Sequence, residues 1–448
     1  MSRASRASEA AVGIGLIGFG TIGTGVAKVL HDNRDVICKR LGFPLRLVRI
    51  ADLDLESERG VDLGGIQFDA DAAGLIADPE VEIVIELVGG YDVARRFTLD
   101  AVAAGKPVVT ANKALLAVHG REIFEAAQQQ GVDIAFEASV GGGIPILRAL
   151  REGLAANHID SLHGILNGTT NYVLTEMEAT GEPIEVVLKR AQDLGYAEAD
   201  PSFDVDGVDA AHKLALLAAM AFGVEIHFDE IHSEGIRGLV PLDFEMAREF
   251  GYSVKLLGIA KLRAAEAGDR IEVRVHPALI PRASLLASVD GAMNAVAVHG
   301  DAVGPTLYYG AGAGELPTAS AVVADLMEIA RELRRGNSGR VAPLSYPHAC
   351  LERKPLVPLD ELYARCYLRF TAVDRPGVLA HITGALGDRG IGIESVIQRG
   401  MAASAGAVSV VVLTHAASES DVRGATQYID GLPDVEAPTL LLRVEEEA

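Results

Sequence analysis

Residues 12–25 read VGIGLIGFGTIGTG, an apolar run followed by glycines in the pattern GxGxxG. The apolar run predicts a buried strand, and we expect a helix after the glycines that continues to about Leu41. In such a turn Gly18 permits the tight bend, Gly20 lets a pyrophosphate approach the backbone, and Gly23 lets helix pack on strand. The pattern predicts a dinucleotide site, with a purely structural glycine turn as the alternative. The residues expected to face the dinucleotide are Gly18, Phe19, Gly20, Thr21, Ile22 and Gly23.

Strand-like and helix-like segments alternate beyond the glycine turn. Short strands are expected at residues 45–51, 81–88, 108–110 and 133–137, with helices between most of them. Such alternation predicts an α/β fold built on a doubly wound parallel sheet, the Rossmann arrangement. In such a sheet, ligands bind at the carboxyl ends of the strands.

The pattern changes after this sheet, and five segments are expected. They are a Rossmann domain at 1–143, an α+β catalytic and dimerisation domain at 144–317, a helix packing back on the Rossmann domain at 318–345, a linker at 346–362, and a last domain at 363–448. Within the last domain the expected elements follow the order βαββαβ, which is the ferredoxin-like arrangement.

Composition excludes some kinds of partner. The 448 residues are 49% hydrophobic and carry a formal net charge of −22, whereas nucleic acid binding needs a basic face. No apolar run reaches the roughly 18 residues of a membrane helix, so neither nucleic acid nor a membrane is an expected partner. The scattered cysteines Cys38, Cys350 and Cys366 form no disulfide framework and indicate free thiols in a reducing cytoplasm.

Asp52 follows the second predicted strand. A carboxylate there accepts hydrogen bonds from a ribose 2′-hydroxyl and repels a 2′-phosphate, which favours NAD over NADP. The alternative is a solvated acid at the end of a strand.

Four charged residues lie in otherwise apolar or glycine-rich segments: Lys113, Glu198, Asp209 and Lys213. Lys113 follows a predicted strand, where the crevices of such sheets lie. Asp209 and Lys213 are spaced so that a helix points both from one face. Interconversion of an alcohol and an aldehyde needs a proton donor, and a lysine oriented by an aspartate can supply it. The alternatives are an ordinary helical ion pair, and for Lys113 a surface position at a helix start.

Seven segments together resemble the homoserine dehydrogenases and occur in that family's order: GLIGFGTIGTGV, VIELVGG, VVTANKALLA, FEASVGGGIPI, GILNGTTNYVL, LGYAEADPSFDVDGVDAAHKLALLA and GAGAGELPTASAVVADL. The resemblance spans roughly residues 12–330. It implies NAD(P)-dependent interconversion of L-homoserine and L-aspartate 4-semialdehyde, in the pathway to threonine, methionine and isoleucine.

The resemblance also implies residue roles. Lys213 matches the proton donor, Asp209 lies beside it, and Glu198 matches the substrate-binding glutamate. Lys113 falls near both nicotinamide and substrate, and Gly314 matches a backbone contact near the nicotinamide. A structural sodium ion is implied at Glu137, Val140, Gly142 and Ile144, held largely by backbone carbonyls. One position departs from the pattern, because Leu53 stands where many members carry an arginine for the NADP 2′-phosphate.

The C-terminal segment VDRPGVLAHITGALGDRGIGIESVIQRG resembles ACT domains, which sense small ligands in amino-acid metabolism. Asp374, Pro376, Gly377 and Val378 match the ligand loop of that family. The resemblance implies feedback inhibition by threonine and, because ACT domains usually pair side by side, a homodimer or homotetramer. A purely structural module is the alternative.

Two other interpretations of the whole sequence remain open. One is another amino-acid dehydrogenase with the same cofactor domain, for example one acting on aspartate; the segments NGTTNY and GYAEADP argue against it. The other is a catalytically silent amino-acid sensor, which would be expected to have lost Lys113, Glu198 or Lys213, whereas all three are present.

Overall fold

The structure is a computed structural model, and it describes residues 11–226, 228–264, 268–400 and 407–448. The strands are β1 Val12–Ile17, β2 Leu45–Ala51, β3 Gln67–Asp69, β4 Ile83–Glu86, β5 Val108–Thr110, β6 Ile134–Ala135, β7 Ile159–Ile165, β8 His232–Ser233, β9 Tyr252–Arg263, β10 Arg270–Pro281, β11 Met293–Gly300, β12 Gly304–Ala311, β13 Tyr363–Ala364, β14 Cys366–Val373, β15 Ile393–Gly400, β16 Ala407–Thr414, β17 Ala417–Ser418 and β18 Val435–Val444. The helices are α1 Thr21–Asp32, α2 Arg34–Leu41, α3 Ala72–Ala77, α4 Asp92–Ala103, α5 Lys113–Gln130, α6 Ile146–Arg148, α7 Gly168–Thr180, α8 Ile184–Asp193, α9 Ser202–Val205, α10 Val208–Phe222, α11 Pro241–Glu249, α12 Glu315–Arg335, α13 Val378–Gly387 and α14 Glu419–Asp430.

The chain divides into two compact units. The first contains the described residues up to 160 together with 212–230 and 294–353, and the second contains 161–211, 231–293 and 354–448. The division falls within α10, so Asp209 belongs to the second unit and Lys213 to the first. None of the helices in the described part of the chain is both long and apolar enough to cross a membrane.

The first unit is built on a six-stranded parallel sheet in the order β3-β2-β1-β4-β5-β6. β1 lies in the middle and is buried along its whole length, as its continuous apolar sequence predicts. Val26 of α1 and Val322 and Leu326 of α12 belong to the same apolar core as Leu16 of β1. The sheet confirms the predicted Rossmann arrangement and brings the carboxyl ends of β1, β4 and β5 to one edge.

Most of the predicted elements of this unit are found, but β4 is shorter than the predicted 81–88, and other elements differ as well. β3 is a three-residue strand without the alternating pattern that would predict it. The helix expected to reach Leu41 is interrupted at Asn33, where the backbone departs from helical geometry with φ −98° and ψ 10°. The strand expected at 133–137 ends at Ala135, and Glu137 lies instead in the 3₁₀ turn Glu137–Ser139.

The second unit is built on a mixed sheet in the order β7-β9-β10-β18-β14-β16-β15. The elements β14, α13, β15, β16, α14 and β18 confirm the predicted βαββαβ order. β18 pairs antiparallel with β14 and, over two residue pairs, parallel with β10. The C-terminal strand therefore belongs to both parts of the sheet. The long strand β9 was not predicted from the sequence, and it pairs antiparallel with β10 along the whole of both strands.

A buried cluster of charges stabilises this part of the sheet. Arg443 of β18 is 2% exposed and donates to Glu234 at 2.8 and 3.0 Å, and to Glu419 of α14. Although burial opposes it, hydrogen bonds from His232 and Arg443 lower the pKa of Glu234 well below its usual range. Removing the arginine would leave the buried carboxylate of Glu419 and the partly exposed one of Glu234 without this partner, although Arg423 contacts both.

We expect Arg443→Leu to lower the free energy of unfolding by about 3–5 kcal/mol, because breaking a buried pair leaves uncompensated charge. Arg46→Leu is the matched control, since Arg46 pairs with Glu80 at 2.7 Å on the surface and is 56% exposed. That variant is expected to cost no more than about 1 kcal/mol. Urea denaturation of both variants makes the comparison, and equal losses would contradict the role given to the buried cluster.

Candidate active site and cofactor cleft

The glycine turn has the geometry of a nucleotide-binding turn. Gly18 adopts φ +95°, a conformation that other residues rarely adopt. A Cβ on Gly23 would lie 2.2 Å from the carbonyl oxygen of Gly18, so only glycine lets α1 start this close to the strand. Gly20 has open space around its Cα and lines a cleft of about 520 Å³. The amino terminus of α1 at this cleft suits a pyrophosphate group.

The cleft lies at the carboxyl ends of the strands and is mainly apolar. Its walls include Val88, Arg96 and Phe97, and Asp52 and Leu53 line it at the end of β2. Leu53 is 91% exposed, so it offers an apolar surface where an arginine would offer charge. The size and position of the cleft fit the adenosine half of a dinucleotide.

Asp52 is held in place by the glycine turn itself. Its carboxylate accepts hydrogen bonds from the backbone N–H of Phe19 and, at 2.8 Å, from that of Asp54. Arg59, which the sequence analysis did not single out, lies 3.9 Å from this carboxylate. Its guanidinium lies over the Phe19 ring and donates to the Phe19 carbonyl at 2.6 Å. A cation therefore lies beside the predicted ribose-binding acid, although the neighbouring Leu53 carries no charge.

Lys113 begins α5, at the edge where β4 and β5 end. Asn112 caps this helix by accepting from Leu115 N–H at 3.0 Å, and its amide donates to the Gly90 carbonyl at 2.7 Å. At the ends of β5 and β4, the Thr110 hydroxyl donates at 2.8 Å to Glu86, a fully buried carboxyl group. Burial raises the pKa of Glu86, against the hydrogen bonds from Thr110 and the loop backbone. These polar groups fix the backbone that carries Lys113.

Lys213 lies in the second turn of α10 and is 8% exposed. Residues of α10, including Leu216, line a cavity of about 220 Å³ together with residues of α5, including Leu116. The first unit therefore brings the helix of Lys213 beside the helix of Lys113. In the same unit, Gly314 precedes α12 with φ +128°.

Asp209 lies in the second unit, in the first turn of α10, and is 3% exposed. The side-chain amide of Asn167 donates to its carboxylate at 2.8 Å and to that of Asp204 at 2.7 Å. Asn167 also caps α7, accepting from Thr170 N–H at 2.8 Å. Asn167 is the first residue of the segment NGTTNY, and its contact with Asp209 was not predicted from the sequence.

Glu198 lies on an exposed turn of the second unit. The Gln192 side chain donates to the backbone carbonyl of Glu198 at 3.1 Å, and Thr169 donates to that of Tyr196 at 2.7 Å. The Tyr196 ring packs against Tyr172 with 4.9 Å between centroids. The start of α7 thus holds both the turn that carries Glu198 and the carboxylate of Asp209.

The segment predicted to hold sodium is a buried turn in the first unit. Gly141 and Gly142 both have positive φ, and a Cβ on Gly142 would lie 2.5 Å from the Gly312 carbonyl. Glu137 accepts backbone N–H bonds from Leu147 and Arg148 at 2.9 and 2.8 Å. Burial and the nearby Asp325 raise the pKa of Glu137 to about 7. Val140 and Ile144 are buried as well.

The predicted ligand loop of the C-terminal segment lies between β14 and α13. Asp374, Pro376 and Gly377 are exposed, and Gly377 adopts φ +95° immediately before the helix. Val378 is buried in the core of this segment. The loop is anchored by an ion pair between Arg375 and Asp434.

Comparison with known proteins gives a consistent result along the chain. The models of the families described as "Homoserine dehydrogenase, NAD binding domain", "Homoserine dehydrogenase" and "ACT domain" match residues 18–137, 145–327 and 367–431. A homoserine dehydrogenase of Neisseria gonorrhoeae is 47% identical over 97% of this chain and 98% of its own length.

Solved structures agree with the sequence relatives. A homoserine dehydrogenase from Thiobacillus denitrificans superposes with a TM-score of 0.90 at 47% identity, covering 98% of this chain and 99% of that one. A hyperthermophilic archaeal homoserine dehydrogenase, solved in complex with NADPH, has a TM-score of 0.59 at 25% identity, with 75% and 99% coverage. Since full-length relatives share both its sequence and its fold, this chain belongs to the homoserine dehydrogenase family and carries an ACT domain at its carboxyl end.

Proposed function

We propose that this protein interconverts L-homoserine and L-aspartate 4-semialdehyde with a nicotinamide cofactor, in the pathway to threonine, methionine and isoleucine. The observation that carries the proposal is near full-length identity of 47% to a homoserine dehydrogenase, together with a glycine turn and cleft shaped for a dinucleotide. The three unpaired cysteines agree with a cytoplasmic enzyme. Homoserine-dependent formation of reduced nicotinamide, followed by absorbance, tests the reaction directly.

We assign each predicted site residue one role in this reaction. When bound, the nicotinamide supplies the hydride acceptor for the alcohol carbon and returns the hydride in reduction. Lys213 takes the hydroxyl proton as the aldehyde forms and gives it back during reduction, and Asp209 orients that lysine. Lys113, at the carboxyl end of the sheet, lies where both nicotinamide and substrate are expected. Glu198 binds the substrate, because its carboxylate can pair with the amino group of homoserine.

We expect Lys213→Ala to reduce turnover by about 10²–10⁴-fold, because a positioned proton donor contributes that much. Binding of the reduced cofactor, followed by nicotinamide fluorescence, should stay within about threefold, since the lysine acts on the substrate oxygen. Lys189→Ala is the control: Lys189 lies on an exposed helix face, paired with Asp193. Full activity in Lys213→Ala would remove this residue from the mechanism.

We propose NAD as the preferred cofactor and NADP as the alternative. The Asp52 carboxylate lines the cleft and is held there by Phe19 N–H, where it can accept from a ribose hydroxyl. Arg59 offsets part of its charge, which makes the preference smaller than Asp52 alone would give.

We expect Asp52→Asn to raise kcat/KM with NADP relative to NAD by about 10- to 100-fold, because it removes the charge that repels a 2′-phosphate. The single amide oxygen can still accept from Phe19 N–H, so the glycine turn keeps that contact, while the bond from Asp54 N–H is lost. Asp54→Asn is the matched control, because Asp54 also pairs with Arg59, at 3.4 Å, yet is 52% exposed. An unchanged cofactor ratio in Asp52→Asn would contradict the assignment.

We propose a structural sodium ion at the turn formed by Glu137, Val140, Gly142 and Ile144. Glu137 is buried in this turn, and the buried carboxylate of Asp325 accepts from its backbone N–H at 2.7 Å, so two carboxyl groups lie close together here, which favours a cation. Backbone carbonyls suit a hard monovalent cation. Among the described residues, no cluster of His, Cys, Asp or Glu side chains has the form of a metal site.

We propose that the ACT domain binds threonine and thereby inhibits the enzyme, and that the protein is a homodimer or homotetramer. The support is the exposed loop around Asp374 and Gly377, whose sequence resembles the ligand loop of ACT domains. An end product differs in shape from the substrate, so it needs a separate site to act on the equilibrium between states.

We expect Asp374→Ala to raise the threonine concentration for half-inhibition at least tenfold, as loss of one charged contact to a bound amino acid does. Steady-state assays across a threonine series measure this. Asp388→Ala is the control, since Asp388 is exposed at the opposite end of α13. Equal inhibition of both variants would show that Asp374 takes no part in sensing.

A further inference from the structure

Asn167 is placed to do more than begin a helix. It is 5% exposed and lies directly before α7. Its side-chain oxygen accepts from the backbone N–H of Thr170 at 2.8 Å and from the Thr170 hydroxyl at 2.9 Å. Its amide nitrogen donates to Asp209 and Asp204 at 2.8 and 2.7 Å. All four contacts lie within the second unit. The amide oxygen accepts in two of them, and the amide nitrogen donates in the other two.

The orientation of this amide is determined by its neighbours. The reversed orientation would turn the oxygen toward two carboxylates and the NH₂ group toward a backbone N–H. Both replacements are repulsive, so the NH₂ group has to face Asp209 and Asp204. A buried carboxylate gains more from such a charge-assisted bond than a solvated one does.

We propose that Asn167 is a positioning residue for catalysis, which fixes the rotamer of the Asp209 carboxylate on α10, the helix that also carries Lys213. The inference rests on the proposed function, because it assumes that Asp209 acts with Lys213. An aspartate side chain has two rotatable bonds, and one amide tied to a helix start removes the freedom of its carboxylate. The bond also keeps Asp209 apart from Asp204, since each carboxylate has its own N–H on the same amide.

The competing explanation is that Asn167 serves only as a helix cap. Serine and aspartate are also good caps, so they keep that role while removing the amide donors. Asn167→Ser removes them without adding charge. Asn167→Asp has the same shape but places a third carboxylate against Asp204 and Asp209, so it should be worse than the serine variant.

Asn171 provides a matched control on the same helix. It is 1% exposed, and its amide donates to three backbone carbonyls, those of Val289, Gly291 and Met293. Asn171→Ser therefore also removes a buried bridging amide, but one that holds a loop and does not contact Asp209. It should lower Tm with little change in kcat.

The experiment is steady-state kinetics and thermal unfolding of Asn167→Ser, Asn167→Asp and Asn171→Ser, using the full-length enzyme with homoserine. We expect Asn167→Ser to lower kcat by about 10- to 100-fold, the loss that accompanies misplacement of a catalytic group. KM for the cofactor should stay within about twofold and Tm within about 3 °C, because the helix cap is kept. A similar loss of kcat in Asn171→Ser would make the effect general to the helix and overturn the inference.

A double-mutant cycle with Asp209→Asn separates positioning from structure. If Asn167 acts through Asp209, then Asn167→Ser should reduce kcat less than about threefold in the Asp209→Asn background. The same loss in both backgrounds would mean that Asn167 acts independently, and wild-type kcat in Asn167→Ser alone would overturn the inference while the proposed function stands. Full activity of Asp209→Asn would instead overturn the assigned role of Asp209.

Discussion

Two helix starts in this chain meet a requirement common to all helices, which is that the first backbone N–H groups need acceptors. Asparagine meets it twice here, at Asn112 before α5 and at Asn167 before α7. In each case the side-chain oxygen serves the helix, and the amide nitrogen remains to hold a second element, the Gly90 carbonyl or the Asp209 carboxylate. A helix start is thereby locked to its surroundings by one residue. Lys113 follows Asn112 directly, so its backbone position is set by the same cap.

The predicted nucleotide-binding turn depends instead on the close approach of α1 to β1. The glycine turn brings α1 to the end of β1, and the freed backbone N–H of Phe19 holds Asp52. Arg59 completes this arrangement by bridging the Phe19 carbonyl and the acids at the end of β2. The acid predicted to recognise ribose is thus part of the turn that receives the pyrophosphate. Under the proposed assignment of Asp52, cofactor preference depends on the balance between this acid and the Arg59 guanidinium.

Features that depend on residues close together in the sequence were predicted correctly. The bounds of β1, β2 and β5 follow directly from apolar runs and punctuating glycines, and the last domain follows from its order of elements. The missed features depend on distant partners. Arg59 is seven residues beyond Asp52 and is recognisable only when the loop folds back onto Phe19. Likewise, a cap at Asn167 can be read from its sequence context, but its contact with Asp209 spans 42 residues.

The ACT domain is joined to the rest of its unit by more than a linker, because β18 belongs to it and pairs with β10 as well. Arg443 on that strand is buried between Glu234 and Glu419, and a buried pair of this kind resists opening because each broken contact leaves a charge without solvent. A ligand can shift an equilibrium only by its difference in affinity between two states. If two states of the protein differed by separating β18 from β10, an effector of the ACT domain would have to supply the free energy of breaking this cluster. A transition that keeps β18 paired with β10 avoids that cost, because Arg443 and Glu419 then stay paired in the interior.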